Sequence, residues 1–170
     1  GDHNNALTLA DDLVVRGPFD DPMKNAAHAS SYSPLMDGFS LDSSAMCGAC
    51  HDVTLPASLV GEEIPLERTF AEWQDTVFAR PHEEGGLGCV SCHMPFSPER
   101  ERSSTVVGSP ERRSRRHDFE AIDLALTEFP NKERQRILVE RLLDTSLLGE
   151  ICVSRLGAIE VTLENAGSGH

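Results

Sequence analysis

Cys47-Gly48-Ala49-Cys50-His51 and Cys89-Val90-Ser91-Cys92-His93 are two copies of one five-residue pattern, C-x-x-C-H. That spacing is the one used to attach a c-type haem. Two cysteines three positions apart lie on one side of a helical turn, so both thiols reach one porphyrin edge and add across its vinyl groups. The next residue brings an imidazole to the iron as proximal ligand, the protein's first lever on the reduction potential. Four of the five cysteines are used in this way. The covalent tether holds the group in place when the iron changes oxidation state.

Two other chemistries use paired cysteines. A four-cysteine zinc site has the same C-x-x-C…C-x-x-C outline. The stretch from Cys50 to Cys89 is longer than in a compact zinc ribbon, and zinc does not account for a histidine directly after both pairs. A thioredoxin-like redox pair needs one C-x-x-C beside a βαβ pattern, which this sequence lacks. Haem is the reading adopted, with a zinc-stapled structural domain as the alternative.

A chain of 170 residues makes one domain or two small ones. It is 39% hydrophobic and 5% aromatic, with one Trp and one Tyr, which is thin material for a side-chain core. Two buried porphyrins would supply the missing apolar mass, as metals and disulfides do in other small folds. The formal net charge of −13 argues against nucleic acid or anionic lipid as a partner and suits steering toward a basic redox protein. No run of about 18 apolar residues offers a membrane span. Haem c is attached on the outer side of the bacterial inner membrane, so a periplasmic or extracellular location is expected. There the spare Cys152 reads as a buried, inert thiol between Ile151 and Val153.

The expected fold is mainly α, with long irregular loops organised around covalently bound haems and a small β element at the C-terminus. Residues 1–42 read as an irregular wrapping segment, 43–130 as a two-haem domain, and 131–170 as a helix plus the start of the β element. Ser43 or Ser44 caps a short helix over 43–51. Residues 69–80 form the clearest helix, with Thr69 and Glu72 as a capping box and Phe70, Trp73, Val77 and Phe78 on one stripe, which covers a haem face or packs as ordinary core. Gly85-Gly86-Leu87-Gly88 gives a flexible approach to the second motif. Residues 97–116 read as a charged loop whose arginines, Arg112, Arg113, Arg115 and Arg116, neutralise haem propionates, stay solvated or form a docking patch. A helix over 131–148 turns Ile137, Leu138, Leu142 and Leu143 inward and ends at Gly149. Ile159, Val161 and Leu163 alternate with polar residues as a half-buried strand.

Five histidines, His3, His28, His82, His117 and His170, remain as distal ligands or as ordinary surface residues. Met46 and Met94 are possible thioether ligands, but both lie too close to a motif to fold back over the same haem. The words "RGPFDDP", "HASSYSPLM", "CGACHDV", "LERTFAEW", "CVSCHMP", "RRHDF" and "VTLENAGSGH" resemble segments of the multihaem cytochromes c, the tetrahaem family and its larger relatives. The resemblance covers most of the chain. It implies that His28, His117 and His170 are distal iron ligands; His3 and His82 match nothing in it. Relatives carry a further motif upstream and more strand downstream, so a piece of a longer multihaem chain is expected, with one of the three histidines serving a haem bound outside it.

Electron transfer through two bis-His low-spin haem c groups is the function these features imply, at low potential because imidazole pairs and acidic surroundings both favour ferric iron. Other haems or redox proteins would be the partners. A carrier is favoured over an enzyme. The enzymatic alternative is a haem subunit of a reductase or oxidase acting on small nitrogen or sulfur compounds, which needs an open coordination position. No catalytic constellation is visible. Cys50→Ser should leave the first haem unattached while His51→Ala leaves it attached but misligated; intact mass and the visible spectrum check both.

Overall fold

The computed structural model describes residue 4 and residues 6–24, 26–117, 120–121 and 123–170. His3, and Asp118 and Phe119 of the "RRHDF" word, lie outside them. The chain divides into two compact units, Gly1–His117 with His170, and Asp118–Gly169.

In the first unit the chain runs through β1 (Val14–Gly17), β2 (Ala29–Tyr32), a 3-10 turn at Pro34–Met36, α1 (Asp42–Gly48), β3 (Val53–Leu55), α2 (Ala57–Val60) and β4 (Ile64–Glu67). It continues with α3 (Thr69–Gln74), a 3-10 turn at His82–Glu84, α4 (Cys89–His93), β5 (Phe96–Arg102) and β6 (Glu111–Arg115). β1 and β2 pair in parallel; β3–β4 and β5–β6 are antiparallel. The second unit holds α5 (Lys132–Leu143) and the antiparallel pair β7 (Leu147–Val153) and β8 (Ile159–Asn165).

The expectation of a mainly α fold is therefore overturned: the chain is 25% helix and 25% strand, the strands in several small sheets. The helices of the first unit are short, and the segments read as loops pair with one another. Residues 97–116 show why. Their charges alternate so that Glu101 faces Arg112 and Arg102 faces Glu111 across the β5–β6 ladder. The arginines are also packing residues. Arg112 lies 4.2 Å over the Phe19 ring and pairs with Asp21, while Arg115 lies 4.2 Å over Phe96. Composition alone reads such a stretch as solvated; the aromatic faces are what hold it.

Other elements also differ from expectation. β1 and β2 occupy part of the segment taken as irregular. α1 starts after Leu41, with Ser43 and Ser44 inside the helix and buried rather than capping it. α3 stops at Gln74, well before Pro81, and Thr69 hydroxyl donates to Glu67 instead of forming a capping box. α5 buries Val139 rather than Ile137, which is 52% exposed, and Gly149 lies in β7. Cys152 is exposed on β7, its thiol 3.3 Å from Glu150 Oε1. β8 covers the expected strand, but both of its faces are exposed. The ladder puts Ile151 opposite Val161 and Val153 opposite Ile159 on one open apolar face.

Ala49, Trp73, Val90 and Val139 are the buried apolar residues among those described. The first three lie in the first unit, where α1 packs on α3 and α4. Trp73 stacks on Phe70 with ring centres 5.6 Å apart, and its indole N–H donates to Leu87 O at 3.0 Å, tying α3 to the approach of the second motif. A Cβ on Gly48 would stand 2.3 Å from the Phe70 ring. A Cβ on Gly86 would meet Arg80 O at 1.8 Å, so this glycine is required by close backbone packing and is no flexible hinge. Gly86→Ala should destabilise by about 1–3 kcal/mol because backbone must move. Gly17→Ala, which meets nothing within 4 Å, should stay within about 0.5 kcal/mol. Urea midpoints of the two variants check the contrast.

Candidate functional site

The first motif straddles the end of α1. Cys50 and His51 both donate their backbone N–H to Cys47 O, at 3.0 and 2.9 Å, so a helical turn carries the pentad to its histidine. The second motif is α4 itself. Ser44 joins them. It is fully buried, and its hydroxyl oxygen accepts the Cys89 N–H at 3.1 Å, one of the backbone donors that the start of a helix leaves unpaired.

This packing brings the leading thiols of the two motifs into a mutual hydrogen bond. Cys47 is pushed up in pKa, first by donating to Cys89 and then by burial. Cys89 is pulled down to about 6, first by accepting from Cys47, against its own burial and with help from Ser44. A thiolate is the nucleophilic form of cysteine, and this lowering favours it at Cys89. Cys50 and Cys92, the trailing thiols, are exposed.

His51 is held through its ring and its carbonyl. Its Nδ1–H donates to Glu67 Oε1 at 2.9 Å, and its carbonyl accepts the Phe70 N–H at 2.9 Å. Next to it Asp52 pairs with Arg68 at 3.1 Å. Glu67 is placed by the β3–β4 ladder opposite Val53, and Thr69 donates to the same carboxylate at 3.2 Å. The hydrogen bond from His51 is the main reason the Glu67 carboxyl lies below its ordinary pKa. A histidine that gives its Nδ1 proton to a carboxylate keeps a lone pair on Nε2, the form that ligates a metal. The His51 side chain is 62% exposed, so that nitrogen is accessible.

His93 faces His170, with ring centres 6.0 Å apart and planes 23° from parallel. Burial, then the neighbouring His93, lowers the pKa of His170 and so favours its neutral, ligating form. The donor types fit a porphyrin iron: paired thiols on a helical turn, an imidazole after each pair, and a second imidazole stacked near one of them. Among the described residues, no three of His, Cys, Asp and Glu gather into an ion-binding group, so the motif thiols form no four-sulfur cage.

The remaining histidines lie elsewhere. His28 lines a cleft of ≈ 280 Å³ with Val15, Phe19, Met23 and Arg112, its Nδ1 3.2 Å from Ala29 O and Ser30 Oγ. His117 follows β6 and is exposed. His82 meets the Phe39 ring edge-on at 5.0 Å. Arg115 donates to Val90 O at 3.0 Å and Met94 O at 3.1 Å, which secures the last carbonyls of α4. Glu67 escapes a reading of the sequence, and so do the partners of Ser44 and Arg115, because each acts on a residue distant along the chain.

No family model, no curated protein and no solved structure matches this chain. The chemistry of the site rests on its own residues.

Ser44→Ala removes the buried acceptor of the Cys89 N–H. It should cost about 1–3 kcal/mol of stability, measured by urea unfolding.

Proposed function

We propose that this chain transfers electrons as part of a multihaem c-type cytochrome and carries two covalently attached haems. The observation that carries the reading is the pair of complete C-x-x-C-H motifs on adjoining helical turns. Cys47 and Cys50 hold one haem and Cys89 and Cys92 the other; His51 and His93 are the proximal ligands. His170 is the distal ligand opposite His93, supported by the 6.0 Å separation of their rings. His28 and His117 are the candidate distal ligands for other iron centres, His28 through the cleft it lines. When bound, the porphyrin iron supplies a one-electron couple.

The residues of the chain then have separable tasks. The thioethers keep each group attached in both oxidation states. Glu67 orients His51, and Arg115 secures the carbonyl end of the helix that carries His93. Contact between Cys47 and Cys89 supports attachment edges that lie close together, which favours exchange of electrons between the two groups. The acidic surface favours a basic redox partner. Further haems or redox proteins are the proposed partners, and the periplasm or the cell exterior the proposed location. Among the described residues no helix is long and apolar enough to cross a membrane.

A pyridine haemochrome spectrum together with intact mass tests the reading. Two covalent haems per chain and low-spin visible bands are expected. A mass equal to the bare polypeptide, or stoichiometric zinc, refutes it. A high-spin ferric spectrum with rapid cyanide or nitrite binding would replace the carrier with a reductase or oxidase subunit.

A further inference from the structure

The β5–β6 ladder opposes unlike charges at two rungs and like charges at a third. Glu101 faces Arg112 and Arg102 faces Glu111, but Arg100 faces Arg113. Like charges directly opposite one another destabilise a strand pair. Rungs two apart share a face, so Arg100, Arg113, Arg102 and Glu111 lie together, and all four are exposed. The two guanidiniums of the repulsive rung are nevertheless held in place. Arg100 donates from Nη2 to Glu111 O at 2.9 Å, and Arg113 donates from Nε to Ser97 O at 3.0 Å. Both acceptors are backbone carbonyls of the opposite strand, and neither arginine has a carboxylate partner among the described residues. A guanidinium carries five N–H donors, so most remain unspent on each. Arg112 and Arg115 are different, being half-buried against Phe19 and Phe96 and bonded to Asp21 or to carbonyls of α4.

The ribbon also reverses the charge of its surroundings. Residues 96–116 hold six arginines against three glutamates, a local +3 in a chain of −13, which leaves −16 on the remainder. The stretch contains no lysine. The planar fork of arginine matches the two oxygens of a carboxylate, which a lysine ammonium does not. An extended polyanion, such as a nucleic acid or an anionic bilayer, carries charge far past the ribbon and is repelled by the acidic remainder. A short acidic segment meets the ribbon alone, because charges beyond about 8 Å are largely screened at physiological salt.

We propose that the exposed face of β5–β6 docks an acidic segment of a partner protein, with one carboxylate of that segment seated between Arg100 and Arg113. The bound carboxylate turns a repulsive rung into two charge-assisted contacts, so partner and ladder stabilise each other. Arg115 ties the same ribbon to the last carbonyls of α4, so the docked segment is fixed to the unit that bears both cysteine motifs. The inference goes beyond electron transfer and does not depend on haem. It gives the chain a second kind of partner, of opposite charge to the basic one favoured by its acidic surface.

The test is fluorescence anisotropy of a fluorescein-labelled hexaglutamate peptide titrated with the full chain, at about 0.1 M and about 1 M salt, between which the screening length falls from roughly 10 to roughly 3 Å. Saturable binding at the lower salt is expected, weakened at least about tenfold at the higher. Arg100→Gln combined with Arg113→Gln should weaken binding about tenfold, through loss of two charge-assisted contacts. Arg100→Lys combined with Arg113→Lys keeps the charge without the fork and should recover only part of that loss. Arg136→Gln on α5, an arginine already paired with Glu133 and Glu140, should leave binding unchanged. In urea the double glutamine variant should unfold no earlier than the parent, because a repulsive pair has been removed. Absence of binding at the lower salt overturns the proposal, as does binding that survives the double glutamine change. An earlier urea midpoint makes the two arginines structural and overturns it as well. Tighter binding of an oligothymidylate or of phosphatidylglycerol vesicles through the same two arginines assigns the face to a phosphate polyanion and also overturns it. A chain that carries no haem yet shows the expected pattern loses the cytochrome reading and keeps this one.

Discussion

Ser44, sealed between α1 and α4, is the point on which the first unit turns. Its hydroxyl satisfies the Cys89 backbone N–H inside the protein. A buried donor left unpaired there would cost more than an ordinary hydrogen bond contributes. That one contact sets the register between the helical turns bearing the two cysteine motifs. The approach of the Cys47 and Cys89 thiols belongs to the same packing. Trp73 and Phe70 then close the other side of α1, and the indole bond to Leu87 returns the chain to the start of α4.

Around this centre the fold spends little apolar surface. Few hydrophobic side chains are buried among the described residues, and many large ones stand exposed, Leu66 and Val77 among them at 66% and 59%. Guanidinium groups fill part of the gap. Arg112 and Arg115 lie on phenylalanine faces and bond to a carboxylate or to backbone carbonyls, so β6 is held by cations where a larger domain would use leucine and valine. A flat apolar group tethered at each motif is consistent with a protein interior of this kind. The β3–β4 pair serves a more local end: it delivers Glu67 to His51, sixteen residues away along the chain.

Several elements were legible in the sequence in kind but not in setting. The alternation of Ile159, Val161 and Leu163 gives β8 correctly, because a period of two is a property of the strand itself. Its exposure could not follow from that period, since burial depends on what packs against the strand. The Trp73 stripe reads as a haem face or as core, and Trp73 is buried; Ile137 and Leu143 read as inward and are exposed, because α5 turns Val139 inward. Residues 97–116 differ for the same reason: charge density describes solvation only until an aromatic face is available, and Phe19 and Phe39 come from distant parts of the chain while the β5–β6 ladder sets Phe96 against Arg115. The helix assigned to 69–80 overran because the Phe70–Phe78 stripe continues past the point where Thr76 and Leu87 turn the backbone.

What the sequence determined by itself is a local grouping: two cysteines and a histidine within each C-x-x-C-H, because that spacing spans a single helical turn. Tertiary structure alone decided which distant side chains condition those imidazoles. Glu67 beside His51, Ser44 beneath Cys89 and His170 opposite His93 are all long-range pairings, created when short helices and two-stranded ladders fold back on one another. Local spacing groups side chains within one turn, whereas the electrostatic surroundings of an imidazole arise only when separate segments are packed together.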